Sequence, residues 1–153
     1  MRRSRRFPDL LSDQGGSASV EFITVGMLLL VPTVYRVLAL SAIQSAAFAV
    51  EGAARQAARV FVQATSVGAG EAAAARAVAV TLADYGLDAG DARVSITCSP
   101  NPADCLQRRG FVTVSIQTVA PLPLFPAVLG LDVPPGVPVD SVATEQVSRF
   151  AGS

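Results

Sequence analysis

The two cysteines are the side chains best equipped for covalent chemistry, and Cys98 and Cys105 stand with six residues between them. That spacing reads as a structural disulfide formed outside a reducing compartment, closing a short loop worth roughly 2.5 kcal/mol in the chain-entropy description of a cross-link. C-x6-C is not a usual zinc spacing, and two thiolates would need His, carboxylates or another chain to complete a metal site. A redox-active pair shows C-x-x-C, which is absent. The chain has no His at all, which removes Ser-His-Asp and Cys-His catalysis, HExxH zinc sites and imidazole pH switches together. The remaining Asp, Glu, Ser and Tyr fall without catalytic spacing, so no catalytic residue, metal ligand or cofactor is expected and an enzyme is disfavoured.

One carboxylate sits in an unusual place. Gly15-Gly16-Ser17-Ala18-Ser19-Val20-Glu21-Phe22 sets a Gly directly before a helical pattern that carries an acid at its fifth residue and an aromatic at its sixth. A carboxylate at the edge of hydrocarbon costs a few kcal/mol unless neutralised. The plainer alternative is an acid favoured by the helix dipole near an amino terminus.

What positions Glu21 is a long apolar stretch. Phe22 to Tyr35 runs without a charge, and after Arg36 the apolar character resumes from Val37 to Val50. A crossing helix needs about 20 residues for a hydrocarbon layer of about 30 Å. Taking Val20 to Leu40 as the span puts Arg36 about 6 Å inside its far end, close enough for the guanidinium to snorkel to that interface. Arg2, Arg3, Arg5 and Arg6 precede it against only Asp9 and Asp13, which favours a cytoplasmic amino terminus, although Arg55 and Arg59 on the other flank weaken the contrast. Three membrane readings compete: a secretory signal cut after Ala47-Phe48-Ala49, a plain anchor that keeps its leader, and an anchor whose leader is clipped on the cytoplasmic side. The first conflicts with the distance of that site from the leader and with the intervening Arg36. Hydrophobic residues are 51% and charged residues 16% of the chain, which fits a membrane-borne protein. Twelve Arg, with no Lys, balance twelve acids, so no basic field is available to hold a nucleic acid.

The helical pattern continues past the membrane. Ser41 to Val62 is Ala-rich and free of Pro, so one helix is expected from about Ser17 to Phe61, about 65 Å long, with Pro32 kinking it. Glu51, Arg55 and Arg59 form a solvated charged stripe with one favourable Glu-to-Arg pair. Ser41, Ser45, Ala49, Ala53 and Ala57 form a row of small residues along which another helix could approach closely. Thr65 to Gly70 should break the rod. Glu71 to Tyr85 then reads as a second helix with an acidic start, an apolar edge of Val78, Leu82 and Tyr85 behind Ala74 and Ala75, and a stop at Gly86. Ala92 to Cys98 and Phe111 to Val119 alternate as an antiparallel hairpin, with Val112, Val114, Ile116 and Thr118 facing the core. Pro121 to Pro138 is too proline-rich for interior strand and too apolar for a free linker, so it reads as an extended connector lying over apolar surface. Val139 to Phe150 should return as a third strand. The sequence thus implies an α+β fold: a long amino-terminal membrane-spanning helix, a shorter second helix and a small antiparallel sheet of about three strands. Its divisions are 1–16, a basic cytoplasmic leader; 17–62, the transmembrane and extended helix; and 63–153, a small extracytoplasmic head.

Gly16-Ser17 followed by Glu21-Phe22 resembles the type IV pilin processing site. Within the pilin-like families the chain looks most like the TadE-like pseudopilins of the tight-adherence (Flp) pilus machinery, through Gly-Ser-Ala-Ser-Val-Glu-Phe and Ala53-Ala54-Arg55-Gln56-Ala57-Ala58-Arg59. The resemblance covers roughly Gly16 to Arg59. It implies that a prepilin peptidase cuts after Gly16, leaving Ser17 as the mature amino terminus and Glu21 at its fifth position. It implies a minor, non-enzymatic subunit that helps initiate or assemble a pilus or a related secretion fibre, with other pilin or pseudopilin helices, the inner-membrane assembly platform and membrane lipid as partners. Arg36 interrupts an apolar run that is commonly unbroken in the family, and Ala58 replaces its usual Gly. The alternative is a single-pass anchored extracytoplasmic binding module that keeps its leader.

Overall fold

A computed structural model describes residues 17–123 and 136–150. The leader with Gly16, the central part of the proline segment and the last three positions lie outside the described residues. The fold is α+β, with α1 at Ser17–Val62, α2 at Val67–Asp84, β1 at Arg93–Ser99, β2 at Phe111–Pro121 and β3 at Gly136–Gln146. Contacts divide the chain into two compact units, one ending at Val37 and one beginning at Leu38.

In the second unit the sheet order is β1-β2-β3, antiparallel throughout. The alternation read from β2 is realised: Val112, Val114 and Ile116 are fully buried and Thr118 nearly so. β2 is the central strand, and its neighbours deliver Ile96 and Cys98 from β1 and Val139 and Ala143 from β3 to the same face. That face closes on Ala49, Val50, Ala53, Ala54, Ala57, Ala58 and Phe61 of α1 and on Ala74, Val78 and Leu82 of α2 in one apolar core. The opposite sheet face is mixed: the Thr113 and Thr144 hydroxyls lie 2.8 Å apart across β2 and β3, and Phe111, Val119 and Val142 are exposed on it.

α2 begins earlier than the sequence suggested. Ser66 caps it, its hydroxyl accepting from the Ala69 N–H at 3.2 Å, so Gly68 and Gly70 lie inside the first turns and Glu71 is not in the first turn. Gly70 is there for space: a Cβ at this position would lie 3.2 Å from the buried Phe61 ring. The buried stripe is Gly70, Ala74, Val78 and Leu82, while Ala75 and Tyr85 are exposed. Tyr85 is the residue that leaves the helix rather than part of its edge. Gly86 ends α2 as expected, at φ +70, and the Leu87 N–H returns to the Leu82 carbonyl at 3.0 Å.

The third strand also shifts, starting at Gly136 and stopping at Gln146 rather than running from Val139 to Phe150. Pro138 lies within it, opposite Val119. A proline is tolerated because β3 is an edge strand with one unpaired side. Gly136 opposes Pro121 so closely that a Cβ there would meet the Val119 side chain at 2.3 Å. Beyond the strand, buried Val147 takes over, donating to the Gly110 carbonyl at 2.8 Å and accepting from the Arg109 N–H at 3.1 Å.

Leu82 and Val80 share one helix but differ in cover, the first fully buried and the second 63% exposed. Leu82→Ala should destabilise the fold by about 2–5 kcal/mol, and Val80→Ala by less than about 0.5 kcal/mol. Urea titration of the detergent-solubilised chain, followed by tyrosine fluorescence, checks both.

Candidate functional site

The feature that sets this chain apart is the surface of α1 between Val20 and Leu40. A helix of a water-soluble fold keeps one apolar stripe and one polar face. Here Phe22 is 80%, Leu28 69% and Leu30 64% exposed, and at 100° per residue these three point in widely different directions. The surface is apolar all the way round. Thirteen large apolar side chains from Val20 to Leu40 are exposed, and at about 1.5 kcal/mol each their transfer from water would release on the order of 20 kcal/mol. That exceeds the net stability of a typical domain. Ser19–Val62 is long and apolar enough to cross a membrane, its most apolar window having a mean hydropathy of 1.9 and no burial.

The two threonine hydroxyls within this stretch are satisfied by the helix itself. The Thr24 hydroxyl donates to the Val20 carbonyl and the Thr33 hydroxyl to the Leu29 carbonyl, each at 2.7 Å. Back-bonding of this kind satisfies a hydroxyl where no water is present. Neither threonine was singled out by the sequence reading, although the position of a hydroxyl four residues after a carbonyl was there to be read. Pro32 lies inside the helix, which continues through it.

The sequence-derived site residues fall as follows. Ser17 is the first described residue and lies in α1, and Gly16 is outside the described residues. Glu21 and Phe22 lie in the second turn and are exposed. Arg36 is exposed fifteen positions further on, about 22 Å along the axis at 1.5 Å per residue, so a single helix does not bring it to Glu21. Cys98 and Cys105 are joined, with their Cα atoms 5.0 Å apart, within the usual range for a bridge. The bridge ties the end of β1 to the loop before β2, and both residues pack against the core with Leu106.

Cover changes abruptly along α1. Ala46 is 3% exposed, and Ala49, Ala53 and Ala57 are fully buried. Those last three belong to the row of small residues that the sequence offered to a partner helix, and the chain itself covers them. A Cβ at Gly52 would touch Thr81 of α2, and the Phe61 ring lies against Gly70, so the helix that approaches here is α2. The charged stripe is as expected, with Glu51 and Arg55 ion-paired on the solvent side.

A cleft of about 450 Å³ lies beside Leu87, Asp88, Asp91 and Thr118, and Asp88 there is engaged in accepting the Gly90 N–H at 2.8 Å. Among the described residues no three His, Cys, Asp or Glu side chains stand together as metal ligands. No family model matches the chain, and neither a curated protein nor a solved structure shows significant similarity to it.

Replacing Cys98 and Cys105 together by Ser should lower stability by roughly 2.5 kcal/mol without abolishing the fold. Denaturation midpoints of the oxidised wild type and the double variant give the difference, and wild type measured in reductant should match the variant.

Proposed function

We propose that this protein is a structural, non-enzymatic subunit of the TadE-like pseudopilin kind, a minor component that helps initiate or assemble a tight-adherence pilus or a related secretion fibre. The observation that carries the reading is α1: it presents an exposed apolar surface from Val20 through Leu40 and then becomes the main support of a disulfide-bridged head. A subunit of this kind needs one surface that is at home first in lipid and then among other helices, and a folded part that does not depend on either. The exposed stretch supplies the first, and the core around Phe61, Leu82 and Ile116 supplies the second.

In this reading the leader arginines hold residues 1–16 in the cytoplasm and the head lies on the other side, where the Cys98–Cys105 bridge can form and persist. Prepilin peptidase cuts between Gly16 and Ser17. The cut frees an ammonium at the start of α1, about one turn before Glu21 of the same chain, and Glu21 pairs with the equivalent ammonium of a neighbouring subunit as helices gather at the inner-membrane assembly platform. Apolar contact supplies most of the attraction, and the carboxylate sets the depth at which a helix enters.

The mature amino terminus tests this directly. In cells making the apparatus, mass spectrometry of the purified chain should begin at Ser17, and Gly16→Asp or loss of the peptidase should restore the leader. A chain that retains Met1 or Arg2 in those cells would instead be an anchored module that presents its head to an envelope partner.

A further inference from the structure

β1 begins at Arg93, opposite Gln117, while β2 continues to Pro121, so residues 118–121 pair with β3 alone. The turn after α2 stands beside that open edge, and between them lies the cleft of about 450 Å³ lined by Leu87, Asp88, Asp91, Thr118, Val119 and Pro121. Asp88 and Asp91 belong to one turn, the Asp91 N–H donating to the Asp88 carbonyl at 3.3 Å, and the three-residue period of a 3-10 turn sets their side chains on the same side. Both are exposed, and no described cation is ion-paired with either. Thr118, in contrast, is only 6% exposed, and its hydroxyl has no hydrogen-bond partner among the described residues. Every fully buried side-chain oxygen described does have a partner, so the Thr118 hydroxyl is not sealed in: the little exposure it keeps opens on the cleft that Thr118 lines. A hydroxyl held nearly out of water without a partner is costly, and a valine would fill the same place in the strand without that cost.

We propose that this cleft binds the side chain of an arginine presented by a neighbouring protein. Two carboxylates without a cation call for a positive charge, and the hydroxyl between the sheet and the core calls for a donor. The guanidinium is a planar fork of five N–H donors, enough to serve both carboxylates and the hydroxyl, and it gives up water more readily than an ammonium. Leu87, Val119 and Pro121 supply apolar walls for the aliphatic stem. The volume is that of an organic-ligand pocket, roughly 300–1,000 Å³, and a bare metal ion is a poorer fit, because a hard cation gathers six to eight oxygens close around itself and no third carboxylate joins Asp88 and Asp91. A second hollow of about 480 Å³ adjoins the first at Gly86, Leu87 and Asp88 and is otherwise lined by Ala79, Ala83 and Ala89, which leaves room for the backbone that carries the arginine. The site belongs to the head alone, so it does not depend on cleavage of the leader or on the fibre reading.

Nitrogen-15 NMR of the full-length chain in detergent micelles tests it, with the capped peptide acetyl-Gly-Arg-Gly-amide as probe. The amides of Leu87, Asp91 and Thr118 should shift and saturate as the peptide is added. The lysine peptide should bind about threefold more weakly or worse, and a peptide with neutral citrulline in place of arginine should leave these amides where they are. Asp88→Asn keeps an oxygen for the Gly90 N–H, so the turn survives; this change and Asp91→Asn should each weaken binding about threefold and the two together about tenfold. Thr118→Val should weaken it about threefold while melting no lower than wild type, and Glu71→Gln, near the other end of α2, should change nothing. Absence of a saturable shift with the arginine peptide, binding that survives the double Asn variant, or full binding by Thr118→Val overturns the proposal. So does tighter binding of free arginine, whose own carboxylate the two aspartates should repel, because the cleft would then serve a small molecule; tighter binding of calcium chloride at the same amides would make it a metal site and overturns it likewise.

Discussion

The structure depends on an asymmetry of cover along a single helix. From Val20 to Leu40 the large apolar side chains of α1 are exposed, and from Ala49 onward its inner face is sealed by α2 and the sheet. The first part draws its stability from whatever apolar medium surrounds it, since transfer out of water is worth far more than any hydrogen bond the segment makes. The second part draws on the core of the head. Both depend on the helix being continuous in sequence, which is why small residues crowd the region after Ala46: Ala side chains keep the helix going while letting α2 and β2 come close.

The head is built to be sufficient with few parts. β2 carries the deepest residues because it is paired on both sides, and β1 and β3 contribute only half-buried side chains to the same core. A sheet of three strands is near the lower limit of independent stability, and three local devices compensate. The bridge at Cys98–Cys105 shortens the loop between β1 and β2, the Val147 backbone is clasped between Arg109 and Gly110, and Gly86 with Leu87 turns α2 back toward β1.

Much of this was legible in the sequence. The run from Phe22 to Tyr35 is legible through its lack of charge, the strict alternation of Phe111 to Val119 carries the period of a strand, and a cysteine pair in a chain without His has few other uses. What was misread depends on tertiary contact. Gly68 and Gly70 look like helix breakers until Phe61 is seen to need the space above Gly70. Ala49, Ala53 and Ala57 look like a surface for another molecule because composition does not say whose helix will cover them. Pro138 looks like connector because sequence alone does not reveal that its strand has a free edge. Thr118 is different again: the alternation places it on the core face, but that its hydroxyl opens on a cleft emerges only when the fold is in place.

The central claim, that residues near Leu29 lie in hydrocarbon while the helix beyond Leu40 belongs to the head, is tested most directly by labelling single cysteines with a membrane-impermeant maleimide in vesicles opened to both faces. Leu29→Cys should stay unlabelled until detergent is added, while Phe48→Cys should label at once. Equal labelling of the two without detergent, or recovery of the chain in the soluble fraction, would contradict it.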